Sequence, residues 1–475
     1  MKWFACLFLL LCFFTSSSLN GFNNNTSFII DSIIITGNKK TKTKIILRQL
    51  AFKIGDEIAF VDTAKIIELS NSRLQNTSLF NTTKISFKPS KFNTEKLIAK
   101  IEVSERWYLF PTPYFNIADR NFNTWWRQYN FNLRRVDFGA QLKHYNLTGR
   151  NDVLDLVAYG GFSENFKIEY RLPQLGKKQI YGFETEVYYR RIRSTLVNSI
   201  NNQQVFYPAT VPDIFEEATQ QKLRASAIAS RQKNAHIKQH FGIRYQNHKI
   251  STQIQTLENT PDYFPNNKTQ FQYFSLFANI QFDYRNLSAY ATKGWHFKAE
   301  FEQDGLGLLN TAQQTKAVFN ATYYYSFNKR ISTLSNLKVQ LSHQNQPNYF
   351  LTKAMGYSSN DVRGYERFVI DGQHFLLQRN ALRYQLFNFN IKPPLLYKIK
   401  QIQNVPITIL PKIYFEHGKV WDKHFSTQNP LTNQWLYGYG VGIDVVTFYD
   451  LVASIEYSIN KQKAGSFVLQ FNYSY

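Results

Sequence analysis

Apolar and polar residues alternate in steps of two along most of this chain. In Trp295-His296-Phe297-Lys298-Ala299-Glu300-Phe301 the alternation has no exception, and Leu337, Val339 and Leu341 interleave with Lys338, Gln340 and Ser342. Leu451, Ala453, Ile455 and Tyr457 do the same around Ser454 and Glu456. Successive side chains of a β-strand point to opposite faces, so each segment has one apolar and one polar side. A slip of one residue would exchange those sides. The pattern runs from Trp107 to Tyr475. At roughly 20 to 25 residues per strand plus connection, it predicts about 16 strands in an even-numbered antiparallel barrel.

Before Trp107 the period changes. Phe28 to Thr36 is a β-branched strand stopped by the turn pair Gly37-Asn38. Thr41 to Leu50 has helical spacing, with Ile45, Ile46 and Leu50 on one face. After a turn at Phe52 to Glu57, Asp62 is placed to cap a second helix running through Leu74. Phe80 to Lys88 and Lys96 to Val103 then read as strands. Strand, helix, helix, strand, strand over 28–104 predicts one small α/β module.

The first 19 residues read as a secretory leader: Lys2, an apolar run from Trp3 to Phe14, then Thr15-Ser16-Ser17-Ser18 before a cleavage point near residues 18 to 20. That run is short of the roughly 20 residues a spanning helix needs. Both cysteines, Cys6 and Cys12, fall inside it, and Leu9-Leu10-Leu11 lacks the small residue expected before a lipidated Cys12. The mature chain is therefore expected to offer no disulfide, thiol catalyst or cysteine-bound metal.

Composition sharpens the barrel reading. Aromatics make up 16% of the residues, with 41 Phe and 30 Tyr, and no later stretch is long and apolar enough for a spanning helix. An exported, aromatic-rich, alternating chain fits a transmembrane barrel with aromatic girdles at both interfaces. A soluble β-sandwich explains neither the strand number nor the aromatics. The net charge of +23 raises nucleic-acid binding, but the cations are dispersed and the leader exports the chain. A basic lumen, or basic loops against anionic headgroups, is the expected meaning.

Some residues stand apart from the alternation. Val362-Arg363-Gly364-Tyr365 sets an arginine beside a glycine turn and an aromatic. Folded into a polar cavity, such a guanidinium needs an acidic partner. The same four residues also suit a solvent-exposed turn. Pro111 and Pro113 either form the linker ahead of the first barrel strand or lie within it, where each removes a ladder donor. In the last segment Phe467, Leu469, Phe471, Tyr473 and Tyr475 share one side against Val468, Gln470, Asn472 and Ser474. The histidines show no ligand spacing, and no HExxH, GxSxG, Walker or dinucleotide pattern occurs. No catalytic or metal-binding residue is assigned.

Residues 28–104 resemble a POTRA domain through Ile33-x-Ile35-x-Gly37-Asn38, Leu50 to Gly55-Asp56, Leu79-Phe80 with Ile85, and the closing Val103-x-Glu105. Together with Asp283-Tyr284-Arg285, Thr292-Lys293-Gly294-Trp295, the Val362 to Tyr365 loop and Tyr414-Phe415-Glu416-His417-Gly418-Lys419-Val420-Trp421, the mature chain resembles the outer-membrane assembly-factor superfamily of BamA and TamA. The resemblance implies a signal peptide at 1–19, one periplasmic POTRA domain at 28–104 and an outer-membrane barrel at 107–475. It implies that Arg363 enters the barrel to meet inward acids, with Glu416 where the family more often has aspartate. Ala381 stands where a second acid is common, which leaves Glu416 as the expected partner.

The implied function is assembly, insertion or translocation of unfolded outer-membrane or exported proteins, without enzyme chemistry, nucleotide or metal. The POTRA edge would capture clients by β-augmentation. The seam between the proline-bearing first strand and the last strand would template insertion and perturb the surrounding lipid. Accessory periplasmic lipoproteins are expected partners, nucleic acid is not, and the final strand resembles the C-terminal signal by which barrels are recognised. The alternatives are a dedicated secretion pore or a passive structural barrel. Two-partner secretion transporters usually carry two POTRA modules and a plugging helix, for which there is no room before residue 28.

Overall fold

The computed structural model describes residues 27–89, 96–118, 125–126, 129–176, 180–209, 216–232, 234, 236–257, 262–288, 290–309, 313–344, 349–357, 360–392, 404–424, 426–447 and 451–473. The expected leader at 1–19, Ser474 and Tyr475 lie outside the described residues.

The N-terminal α/β module runs β1 (Ser27–Thr36), α1 (Thr43–Gln49), β2 (Glu57–Ala59), α2 (Thr63–Asn76), β3 (Phe80–Pro89) and β4 (Lys96–Glu105). Its sheet has the order β2-β1-β4-β3, with β1 and β4 parallel at the centre. In β4 the alternating Leu97, Ala99, Ile101 and Val103 are buried, and they pack with Ile30, Ile45, Ile46 and Leu74 into one core. Short β2 went unanticipated because three residues carry almost no periodic signal. Asp62 ends a 3-10 turn ahead of α2, and its side chain makes no capping hydrogen bond. Thr63 Oγ1 donates instead to the Phe60 carbonyl at 2.6 Å.

The remaining strands are β5 (Leu109–Ile117), β6 (Val136–Tyr145), β7 (Val153–Gly161), β8 (Ser163–Leu175) and β9 (Tyr181–Ile192), then a hairpin of β10 (Thr195–Ile200) and β11 (Gln203–Tyr207). There follow β12 (Gln220–Arg231), β13 (Ile237–Ile250), β14 (Gln270–Asp283), β15 (Gly294–Asp304), β16 (Gln314–Ser326) and β17 (Ile331–Gln344). A second small hairpin, β18 (Lys353–Met355) and β19 (Ile370–Asp371), precedes β20 (His374–Tyr384) and β21 (Phe387–Ile391). The chain ends with β22 (Val405–Trp421), β23 (Trp435–Thr447), β24 (Leu451–Asn460) and β25 (Gly465–Tyr473).

All but the two hairpins form one closed barrel, with β25 beside β5. Because β20 and β21 pair in succession with β22, they are halves of one broken strand, and the barrel has about 16 staves. The alternation in sequence becomes inside and outside. On β22, Leu410, Lys412, Tyr414, Glu416 and Val420 are buried inward, while Ile413 and Phe415 are exposed on the outer face. Both signs of charge line the lumen, as in Lys167–Asp155 at 2.7 Å and Lys316–Glu302 at 3.0 Å. The lumen, one of the two expected places for the basic excess, thus carries acids paired with its cations.

The module docks against turns at one end of the barrel. Lys42 N donates to the Gly149 carbonyl at 2.9 Å, Asn146 Nδ2 to Thr41 Oγ1 at 2.9 Å, and Arg48 Nη2 to the Gln232 carbonyl at 2.8 Å. At the other end the β10–β11 hairpin, α3 (Thr252–Gln255) and the buried rings of Tyr263, Phe264, Phe271, Tyr273 and Tyr349 make a packed cap.

Candidate functional site

The segment between β17 and β20 folds back into the lumen against β22, β23 and β24. Gly364 has φ +91°, a left-handed conformation that glycine adopts without strain. Its carbonyl accepts from Asn460 Nδ2 at 2.8 Å, and its N–H donates to Glu366 at 2.8 Å. Val362 and Tyr365 are buried, in one apolar cluster with Met355, Phe375, Leu377 and Val420, and the Tyr365 hydroxyl reaches Gln462 at 2.9 Å. Where the loop crosses β23 the wall is Gly438. A methyl group there would collide with the Arg363 carbonyl oxygen.

These contacts aim Arg363 at two carboxylates. Its Nη1 donates to Glu416, its backbone N–H donates to the other oxygen of Glu416 at 3.0 Å, and its Nε donates to Glu456 at 2.6 Å. The guanidinium also lies 4.5 Å from the Tyr414 ring centroid. Both acid side chains are 0% exposed, so their charges depend on these partners and not on water. Glu456 is shared with Lys412 at 2.5 Å, Lys412 is held by Asp444 at 2.5 Å, and Asp444 accepts from the Tyr290 hydroxyl at 2.7 Å. Arg379 approaches Glu416 at 3.7 Å. The result is a desolvated ionic lattice that fixes the loop to three strands.

Glu416 thus stands beside Arg363. The second acid, Glu456, was missed, although the alternation around Ser454 and Glu456 already faced it inward. No local pattern connects β24 to position 363; only barrel closure does. Ala381 lines a cavity of about 220 Å³ with Arg363, Arg379, Arg383 and Lys412, where small size leaves room for four cationic side chains.

The other singled-out residues lie along the β5–β25 junction. Pro111 and Pro113 are inside β5, in register with Leu142 and Ala140 of β6. Tyr145 N donates to the Tyr108 carbonyl at 2.7 Å and Ala118 N donates to the Arg135 carbonyl at 2.8 Å. Even-numbered residues of β5 therefore bond to β6, and the alternation turns positions 111 and 113 toward β25. Neither proline can donate there. Phe467 and Leu469 of β25 are exposed on the outer face; the backbone of Phe471 and Tyr473 continues the strand.

The Omp85 superfamily domain matches residues 146–383, just over half of the chain, and the protein belongs to that superfamily. Among solved structures, BamA from Haemophilus ducreyi lacking POTRA domains 1–3 aligns with a TM-score of 0.50 and 14% identity, over 94% of this chain and 84% of that one. CdiB from Escherichia coli aligns with a TM-score of 0.50 and 10% identity, over 98% of this chain and 91% of that one. At such identities the likeness is one of fold. No curated protein matches the sequence. Membership places the chain among outer-membrane barrels of the assembly and secretion type.

Proposed function

We propose that the protein assembles other outer-membrane proteins, using the β5–β25 junction as the site where client strands pair and enter the bilayer. The observation that carries this reading is the placement of Pro111 and Pro113. Two successive donor positions that face the last strand are absent from β5. Each missing backbone bond forgoes about 0.5–1.5 kcal/mol, so this junction opens at reduced cost. An opened edge presents free carbonyls to an incoming strand.

The Arg363 lattice complements the weak edge. It braces β22, β23 and β24 next to the seam, so that opening need not unravel the wall behind it. The N-terminal module is proposed to be a single POTRA domain in the periplasm. Its strand β3 ends the sheet and offers an edge for extended clients and for accessory lipoproteins. The work is strand pairing and membrane perturbation, with no chemical step.

Depletion of the protein followed by quantitative proteomics of the outer membrane tests the proposal. Loss of many barrel proteins is the expected result. Loss of one exported substrate, with the other barrels unchanged, would assign the chain to secretion instead.

A further inference from the structure

Half a circumference from Arg363, three adjacent strands carry Arg190, Lys222 and His248 in one rank. Lys222 on β12 is the register partner of Arg190 on β9 and of His248 on β13. Directly opposed residues of antiparallel strands have Cβ atoms about 4.5–5.5 Å apart, and like charges so placed repel. Val187 and Ile243, of opposite parity, are exposed on the lipid-facing side, so the rank faces the lumen. Arg224 lies two residues further along β12, and Lys353 of the inward loop faces the same rank.

The nearby carboxylates are already engaged. Glu186 accepts from Arg224 Nε at 2.8 Å, and Asp137 accepts from the Ser163 N–H at 2.7 Å and hydroxyl at 2.8 Å. Asp371 accepts from the hydroxyls of Ser199 and Tyr357. Among the described residues Lys222 has no hydrogen-bond or ion-pair partner, and the charged groups facing it are Lys353, Arg190 and Arg224. Among the described residues both ring nitrogens of His248 and Nε of Arg190 are buried without partners. Arg190 donates through another nitrogen to Ser163 Oγ at 3.2 Å and bonds the Tyr188 hydroxyl, with Asp137 nearby, which leaves Lys222 and His248 as the unmatched members of the rank.

Concentrated, unmatched donors of this kind are unfavourable by themselves and favourable around an anion. A forked guanidinium, an ammonium and an imidazole N–H side by side on three adjacent strands supply more donors and charge than a planar monoanionic carboxylate uses. A tetrahedral dianion uses them better. The rank faces the lumen beneath the cap, so a soluble solute is the fitting source. We propose that Arg190, Lys222 and His248 form a binding site for a phosphoryl dianion, either phosphate itself or a soluble phosphomonoester.

The test uses the full chain purified in an uncharged detergent. Calorimetric titration with sodium phosphate, against sodium chloride at equal ionic strength, is expected to give saturable heat and a rising unfolding temperature. Lys222→Gln is expected to weaken phosphate binding at least about tenfold, the loss of one charge-assisted contact. In phosphate-free buffer the same variant should unfold at a higher temperature than the parent, because it relieves repulsion, whereas a merely structural lysine would give the opposite. His248→Gln is expected to weaken phosphate binding too and serves if Lys222→Gln does not fold. Absence of saturable binding, or unaltered binding in the folded variants, would overturn the proposal. Competition by dihexanoyl phosphatidylglycerol would overturn the assignment to a soluble solute.

Discussion

Arg363 and Glu456 meet at 2.6 Å, guanidinium Nε to carboxylate oxygen, although 93 positions separate them in the chain. With Glu416 on the other side, the arginine links the inward loop to β22 and β24 across the glycine wall of β23. Removing one partner from a buried ion pair leaves an uncompensated charge, at a cost of about 3–5 kcal/mol. Arg363→Ala is therefore expected to lower the unfolding temperature, read from heat-modifiable migration on gels, and to reduce barrel function. Arg363→Met combined with Glu416→Gln and Glu456→Gln should recover most of the stability, since Lys412 keeps Asp444. Equal loss in the single and triple variants would show that charge compensation is not what holds the loop.

Gly438→Ala tests the lattice without touching a charge. The added methyl meets the Arg363 carbonyl oxygen, which is backbone and cannot rotate away. The loop is expected to leave the wall, exposing residues 360–373 to limited proteolysis while β23 itself stays paired. Protection equal to the parent would mean that the loop is held elsewhere.

Much of this architecture is legible in the sequence alone, because a period of two in a barrel is imposed by lipid on one side and water on the other. Glu416 and Arg363 could be paired only through family resemblance, since the alternation gives the face of a residue and not its neighbour across the lumen. Glu456 shows the limit plainly: its inward direction was readable, its partner was not. Pro111 and Pro113 were ambiguous because proline is equally at home in a linker; the ladder parity set by Tyr108 and Tyr145 resolved it. The Arg190, Lys222 and His248 rank was invisible, since three strands had to align before the cations became neighbours.

The prolines lead to a gain-of-stability variant. Pro111→Thr with Pro113→Thr restores two N–H donors toward β25, each worth about 0.5–1.5 kcal/mol when paired. The unfolding temperature should rise and the rate of client insertion into liposomes should fall. A rise without loss of insertion would separate seam strength from activity.

Tyr108 joins the module to the barrel. Its hydroxyl contacts Thr41 Oγ1 at 3.0 Å and donates to the Leu79 carbonyl at 3.1 Å, and burial pushes its pKa up to about 12. The neutral phenol is the docked form, so its contribution is complete below the free tyrosine value of about 10 and is lost as pH rises through about 12. Small-angle scattering should show the module held from neutral pH to about pH 10 and released as pH rises from there through about 12. Tyr108→Phe should weaken docking at neutral pH and remove that alkaline step. A scattering profile independent of pH in the parent would place the docking energy in the Lys42–Gly149 and Arg48–Gln232 contacts alone.

Disulfide locking of β5 to β25 addresses the seam most directly. Cys6 and Cys12 are the only cysteines in the chain, both inside the expected leader, so an introduced pair would face no competitor in the mature protein. In cells whose sole copy carries the locked seam, many barrel proteins should disappear from the outer membrane and return on reduction. Undiminished assembly by the fully oxidised protein would contradict insertion through the β5–β25 junction.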